Sequence, residues 1–211
     1  MKGTVAMPNE IDPRLLTRLA ANRTSRRRFI GGGAADTIDT GAADDNFQDI
    51  IRFGDVVEYG DIITNFDVTG TVAQADRIEF TGSLNTLFDD IANDDDFAWA
   101  SGNGGAGTVN ANVSTTVEAL FLSGQAGEGV ANASLTDPGL VAAAFDAEFN
   151  ITASNGDDAL LVINDTNANS ASIWQYTEST GGGEISAGEL TLVAVVNSNA
   201  AIQTGNLDLA A

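Results

Sequence analysis

From Phe47 onward, short segments rich in Val, Ile, Thr and Phe are separated by clusters of Gly, Asn and Asp. This pattern predicts strands over 47–53, 56–66, 76–80, 108–113, 116–122, 147–152, 159–164, 171–178 and 190–196. Two stretches change period. Leu84, Leu87, Phe88 and Ile91 share one face of a helix over 84–92, and Asp137-Pro138 opens a second helix over 137–144. The glycine-rich segments 101–107 and 179–183 read as loops, the second suited to a hairpin. Many short strands with glycine-rich turns predict a mainly β fold, a β-sandwich or jelly-roll-like domain with the short helices covering sheet ends.

Upstream of the strands the pattern differs. Asp12-Pro13 reads as an N-cap and a first-turn proline, and Leu15, Leu16 and Leu19 share one face, which predicts a short helix over 13–24. Next comes Gly31-Gly32-Gly33-Ala34-Ala35-Asp36-Thr37-Ile38-Asp39, followed in the same nine-residue register by Gly41, Asp45 and Phe47. Glycines turn the backbone, Asp offers a hard oxygen, and the apolar residue two places on points into a core. Such a period suits a vestigial β-roll turn, in which carboxylates and turn carbonyls of adjacent turns close around Ca²⁺. Gly31, Gly33, Asp36 and Asp45 are the candidate ligands, against the alternative of ordinary Gly/Asp turns.

This stretch resembles the glycine- and aspartate-rich nonapeptide repeats of RTX proteins, and the rest resembles the C-terminal secretion-target region of their type I secreted members. Asp61-Ile62-Ile63-Thr64-Asn65-Phe66 and Asp76-Arg77-Ile78-Glu79-Phe80 are similar to that region's D-x-I strands, while 158–165 and 185–192 are similar to its closing strands. The repeats at 31–48 are degenerate, since Ala34 replaces a glycine and the second repeat lacks most of its glycines. The resemblance implies Ca²⁺ as the bound ion, type I secretion machinery as a partner, and an extracellular or cell-surface location. The family's export signal is C-terminal and uncleaved, and 206–211 is compatible with it.

Charge divides the chain into a basic N-terminal arm, 1–30, and an acidic β domain, 31–211. Residues 1–30 hold seven of the nine basic and two of the 30 acidic residues, a net +5 against −26 for the remainder. An acidic body of this kind repels nucleic acid and anionic membrane surfaces. Arg14, Arg18, Arg23, Arg26, Arg27 and Arg28 form a candidate self-assembly arm that lies on the acidic surface of a neighbouring copy, making a homo-oligomer or polymer. Ser25-Arg26-Arg27-Arg28-Phe29-Ile30 is similar to a twin-arginine motif, but the following residues offer no apolar region before Asp36, so export by that route is not expected. No run approaches the ~18 apolar residues that span a bilayer.

The chain contains neither His nor Cys, which removes Ser-His-Asp and Cys-His nucleophiles, thiolate and His-containing zinc sites, and disulfides. Carboxylate-pair chemistry is the remaining enzymatic option, but two Trp and two Tyr give little platform for sugar stacking, and no enzymatic activity is expected. Asp89, Asp90, Asp94, Asp95 and Asp96 form an acidic cluster in which Asp94 and Asp96 are candidate Ca²⁺ ligands, against the reading of a solvated loop. Asp165-Thr166-Asn167-Ala168-Asn169 starts like an EF-hand loop. It lacks the turn Gly and the bidentate Glu, and reads better as a hairpin turn. The function expected on all these grounds is a secreted, calcium-associated, self-assembling structural protein of the cell surface or matrix. The alternative is a monomeric extracellular module that binds glycans or a protein.

Overall fold

The structure, a computed structural model, describes residues 27–30, 32–41, 47–69, 74–89, 91, 96–102, 109–124, 130–167 and 169–210. The fold begins as a coil. Strands β1 (Arg28–Ile30), β2 (Thr37–Asp39), β3 (Ile50–Phe53), β4 (Asp61–Phe66) and β5 (Arg77–Phe80) alternate between two sheets, so each turn of chain adds one parallel strand to each. After β5 the chain leaves the coil, and it returns as β12 (Leu190–Ser198), parallel to β4, and β13 (Leu207–Leu209), parallel to β5. The long segment between β5 and β12 is therefore an insertion between two successive turns.

Stacking in register brings like residues together. Ile51 lies beside Ile78 and Ile78 beside Leu207; Phe53 lies beside Phe80 and Phe80 beside Leu209. The other sheet contributes Ile38, Ile63 and Val196 in one row. All of these are buried in one cluster between the sheets, and each large side chain there contributes about 1.5–3 kcal/mol of burial. On the outer face the rungs are joined by charge: Arg52 Nε donates to Glu79 Oε2 at 2.7 Å, and Arg77 lies 2.6 Å from Asp208 Oδ2.

The insertion contains α1 (Gly82–Phe88), β6 (Trp99–Ser101), β7 (Val109–Asn112), β8 (Ala119–Leu122), α2 (Pro138–Glu148), β9 (Phe149–Thr152), β10 (Asp158–Asn164) and β11 (Ser170–Thr177). It extends the second sheet into the order β2-β4-β12-β11-β10-β8-β6. One face of this extension packs Phe121, Leu160, Val162 and Ile173 into the cluster that holds Leu84 and Phe88 of α1. The other face packs Leu120, Leu161, Ile163, Trp174 and Tyr176 against Val141 and Phe145 of α2 and against β9. Burial on both faces explains the uninterrupted apolar run Ala159–Ile163. The start of α2 is set by Asp137, whose Oδ1 accepts the Gly139 and Leu140 amides ahead of a first-turn proline.

Two carboxylates organise the loop between β11 and β12. Burial acts to raise the pKa of Glu178, but the Tyr176 hydroxyl at 2.6 Å and the amides of Thr180, Gly183 and Gly181 outweigh it and hold the group at about 2. Glu189 is treated likewise by the amides and hydroxyls of Ser179 and Ser186, which keep its pKa low against burial.

The mainly β, two-layered architecture agrees with the pattern of the sequence, and each of the nine expected segments contains a strand. The first part of 56–66 is instead a 3₁₀ turn at Val56–Glu58, capped by Asp55. The expected helix over 84–92 spans Gly82–Phe88, and the one over 137–144 runs on to Glu148. The helix expected over 13–24 lies outside the described residues. The arm boundary after residue 30 needs correction, because Arg28–Ile30 already pair with β3 as a strand of the first sheet.

Candidate functional site

The four dipeptides Asp36-Thr37, Asp49-Ile50, Asp61-Ile62 and Asp76-Arg77 each open a strand of the coil, and the registers pair the first with the third and the second with the fourth. At these corners the N–H just ahead of a strand has no cross-strand carbonyl facing it. The aspartate of the following turn supplies the missing acceptor. The Asp36 amide donates to Asp61 Oδ1 at 2.8 Å, the Asp49 amide to Asp76 Oδ1 at 2.7 Å, and the Arg27 amide to Asp49 Oδ1 at 3.2 Å. The backbone ladder continues beside them, with Ile62 N–H on Asp36 C=O and Arg77 N–H on Asp49 C=O.

The two corners differ in how far their carboxylates are satisfied. Asp76 is buried, and its Oδ2 accepts a second amide, from Asp67 at 2.9 Å. Burial nevertheless pushes its pKa up to about 7, against those amides and with the Asp49 carboxylate adding to the rise. Asp61 is fully buried, and its Oδ2 has no hydrogen-bond partner. Burial raises its pKa to about 6, with the Asp36 amide opposing and the charges of Asp36 and Glu58 adding.

The loops around Asp61 are tightly apposed. A Cβ on Gly33 would stand 3.7 Å from Val57 Cγ2, and one on Gly60, at φ +99°, would stand 3.3 Å from the Ala35 Cβ. The corner thus holds a bare, buried hard oxygen on which the negative charges of Asp36 and Glu58 act. That donor chemistry fits a hard divalent cation. Among the described residues no three acidic side chains converge as a ligand set, so an ion anchored on Asp61 Oδ2 would take the rest of its shell from carbonyls and water.

Of the expected ligands, Gly33 and Asp36 lie at this corner. Asp36 is exposed, and it is its backbone amide that meets Asp61. Asp96 is elsewhere: it is exposed and its charge acts on Asp208 of β13, in the other sheet. Gly31, Asp45 and Asp94 lie outside the described residues, as do Arg14, Arg18, Arg23 and Arg26 of the arm. Arg27 is engaged within its own chain. Its NH2 donates to Thr40 C=O at 3.1 Å, its guanidinium lies 5.2 Å from the Phe29 ring centre, and its Nε is 3.6 Å from Asp49. Arg28 is exposed on β1.

Sequence reasoning assigned no ligand or clamp role to Asp49, Asp61 or Asp76. The signal that finds them is the fourfold recurrence of Asp-x-Ile at 36, 49, 61 and 76, whose intervals of 25 and 27 residues link stacked positions. No helix among the described residues is long and apolar enough to cross a membrane. Comparison with family models, with curated proteins and with solved structures returns no match.

Proposed function

We propose that the chain is a secreted, calcium-associated structural protein of the cell surface or extracellular matrix that assembles with copies of itself. The observation that carries this reading is the one-sided pairing at the start of the coil. Among the described residues β1 pairs only with β3 and β2 only with β4, so both sheets end in an unpaired edge at the same end of the stack. Unpaired edges of this kind are templates for another chain. The first two turns also carry Ile30, Val56, Val57 and Ile62, four of the five exposed large apolar side chains among the described residues.

Calcium enters this reading through Asp61. A carboxylate with one oxygen buried and unpartnered opposes folding while the ion is scarce, and binding offsets that cost where calcium is abundant. The resemblance to type I secreted proteins supports export in an unfolded form, and a chain without Cys needs no disulfide to fold afterwards. The basic arm, with Arg14, Arg18, Arg23 and Arg26, is assigned to contact with the acidic body of a neighbouring copy.

Sedimentation of the purified chain with EDTA and with millimolar Ca²⁺ tests the proposal. Growth into large assemblies only with calcium, lost on removal of residues 1–26, is the expected result. A compact monomer in both conditions overturns it. That outcome favours a monomeric binding module, for which a cavity of about 340 Å³ lined by Asp146, Asn150, Gly183 and Glu184 offers a polar site for a glycan.

A further inference from the structure

From Ile78 to Ala211 the sequence carries no Lys, Arg or His. The last two cations, Arg52 and Arg77, are engaged with Glu79 and Asp208. Every buried carboxylate of the insertion must therefore be balanced by N–H and O–H donors, by a proton, or by a cation from solution. Glu178 and Glu189 are surrounded by donors on both oxygens. Glu118, fully buried, takes the Ile91 amide on Oε1 and the Ala98 amide on Oε2.

Asp165 breaks this rule. It stands at the head of the β10–β11 hairpin with no exposed surface, and its Oδ1 accepts the amides of Asn169 at 3.0 Å and Ser170 at 3.4 Å. Its Oδ2 is buried and has no partner. The same loop carries side-chain oxygens on alternate residues, at Asp165, Asn167 and Asn169, and the latter two side chains are exposed and free to turn toward an ion.

We propose that this hairpin binds a hard cation, calcium, with Asp165 Oδ2 as the buried anchor and the side-chain oxygens of Asn167 and Asn169 in the remaining shell. Calcium takes six to eight oxygens at about 2.3–2.6 Å, and Asn side-chain carbonyls, backbone carbonyls and water serve beside carboxylates. The hairpin reading of the loop stands; the ion is an addition to it. The location gives the ion a structural task. Asn169 C=O accepts the Ser198 amide at 3.0 Å, and Ser170 Oγ lies 3.1 Å from Asn197 Oδ1, so ordering the hairpin tip fastens the insertion to the last full strand of the coil. The site is separate from the Asp36–Asp61 corner and does not depend on it.

Native mass spectrometry and equilibrium dialysis with Ca²⁺ test the assignment on the full chain, comparing wild type, Asp165→Asn, the double variant Asn167→Ala/Asn169→Ala, and Asp61→Asn. The wild type is expected to bind one ion more than Asp165→Asn. The double variant, altered only at exposed positions, should keep its circular dichroism spectrum and bind that ion about tenfold more weakly, a loss of about 1.4 kcal/mol. Asp61→Asn should leave this ion in place, so failure at the hairpin and failure at the coil corner are read separately. Equal stoichiometry and affinity in wild type and Asp165→Asn overturns the proposal. Should Asp165→Asn fail to fold, wild-type crystals soaked in Tb³⁺ decide: an anomalous peak on Asp165 Oδ2 supports the site, and its absence overturns it.

Discussion

The backbone N–H of Asp49 donates to Oδ1 of Asp76 at 2.7 Å across 27 residues of sequence. The same bond joins the Asp36 amide to Asp61 on the opposite side of the coil across 25 residues. An aspartate at a strand start therefore does for the preceding turn what a cross-strand carbonyl does within a sheet. This explains why the residue type recurs at positions where a buried charge is otherwise costly.

Asp76 makes the coil sensitive to pH. Its neighbours are the Asp49 carboxylate, itself beside Arg27, and the amides of Asp49 and Asp67. The folded chain takes up a proton at Asp76 near pH 7, whereas the unfolded chain does so only near pH ~4. Stability linked to this group is fully present below that lower value and is lost as pH rises through about 7. Urea unfolding in calcium-free buffer should thus show stability increasing from pH 8 down to about pH 5. Asp76→Asn, which keeps one acceptor and has no charge, should flatten that limb. A stability that falls steadily from pH 8 to pH 5 would contradict the assignment.

Glu178 sets the acid limit. Its pKa is held at about 2, so its contribution is present above the unfolded value of ~4.3 and is lost as pH falls through the folded one. Replacing it with alanine strands the buried Gly183 amide and Tyr176 hydroxyl, and removes the acceptor of the half-buried bonds from the Thr180 and Gly181 amides. Glu178→Ala should cost on the order of 2–4 kcal/mol at pH 7, and the difference from wild type should shrink in the most acidic buffers. Melting curves for the two proteins at pH 7 and near pH 2 measure both effects.

Much of this fold is legible along the chain because most strands carry their own signature. The runs ending in β4 and β5, the buried hairpin β10–β11 and the Asp-Pro start of α2 are all written in neighbouring residues. The strands β1, β2, β6 and β13 escape notice. Each has three residues, too few for alternation to register, and each is held by a parallel partner far away in sequence. The glycine-rich segment at 31–39 does mark the coil, and its Ile38 points into the core. The stacking interval, however, is set by corner loops of unequal length rather than by a nine-residue period. The candidate ions are legible only in part for a related reason. Residue type shows that Asp61 and Asp165 can ligate, but only the packing reveals that one oxygen of each is left bare.

Glycine at two positions separates backbone strain from steric exclusion. Gly156, at φ +94°, turns between β9 and β10, and a Cβ there would meet nothing within 4 Å. Gly183, at φ +75°, lies in the loop organised by Glu178, and a Cβ there would stand 2.2 Å from the Ile151 carbonyl oxygen. Gly156→Ala pays only the left-handed conformation, about 1–2 kcal/mol. Gly183→Ala pays the same and must also push the loop off β9, which breaks the Gly183 amide's bond to Glu178 and should bring the loss to about 3 kcal/mol or more. Urea titrations of the two variants give the comparison directly. Equal losses would mean that the loop yields freely, and that Glu178 does not fix its position against β9.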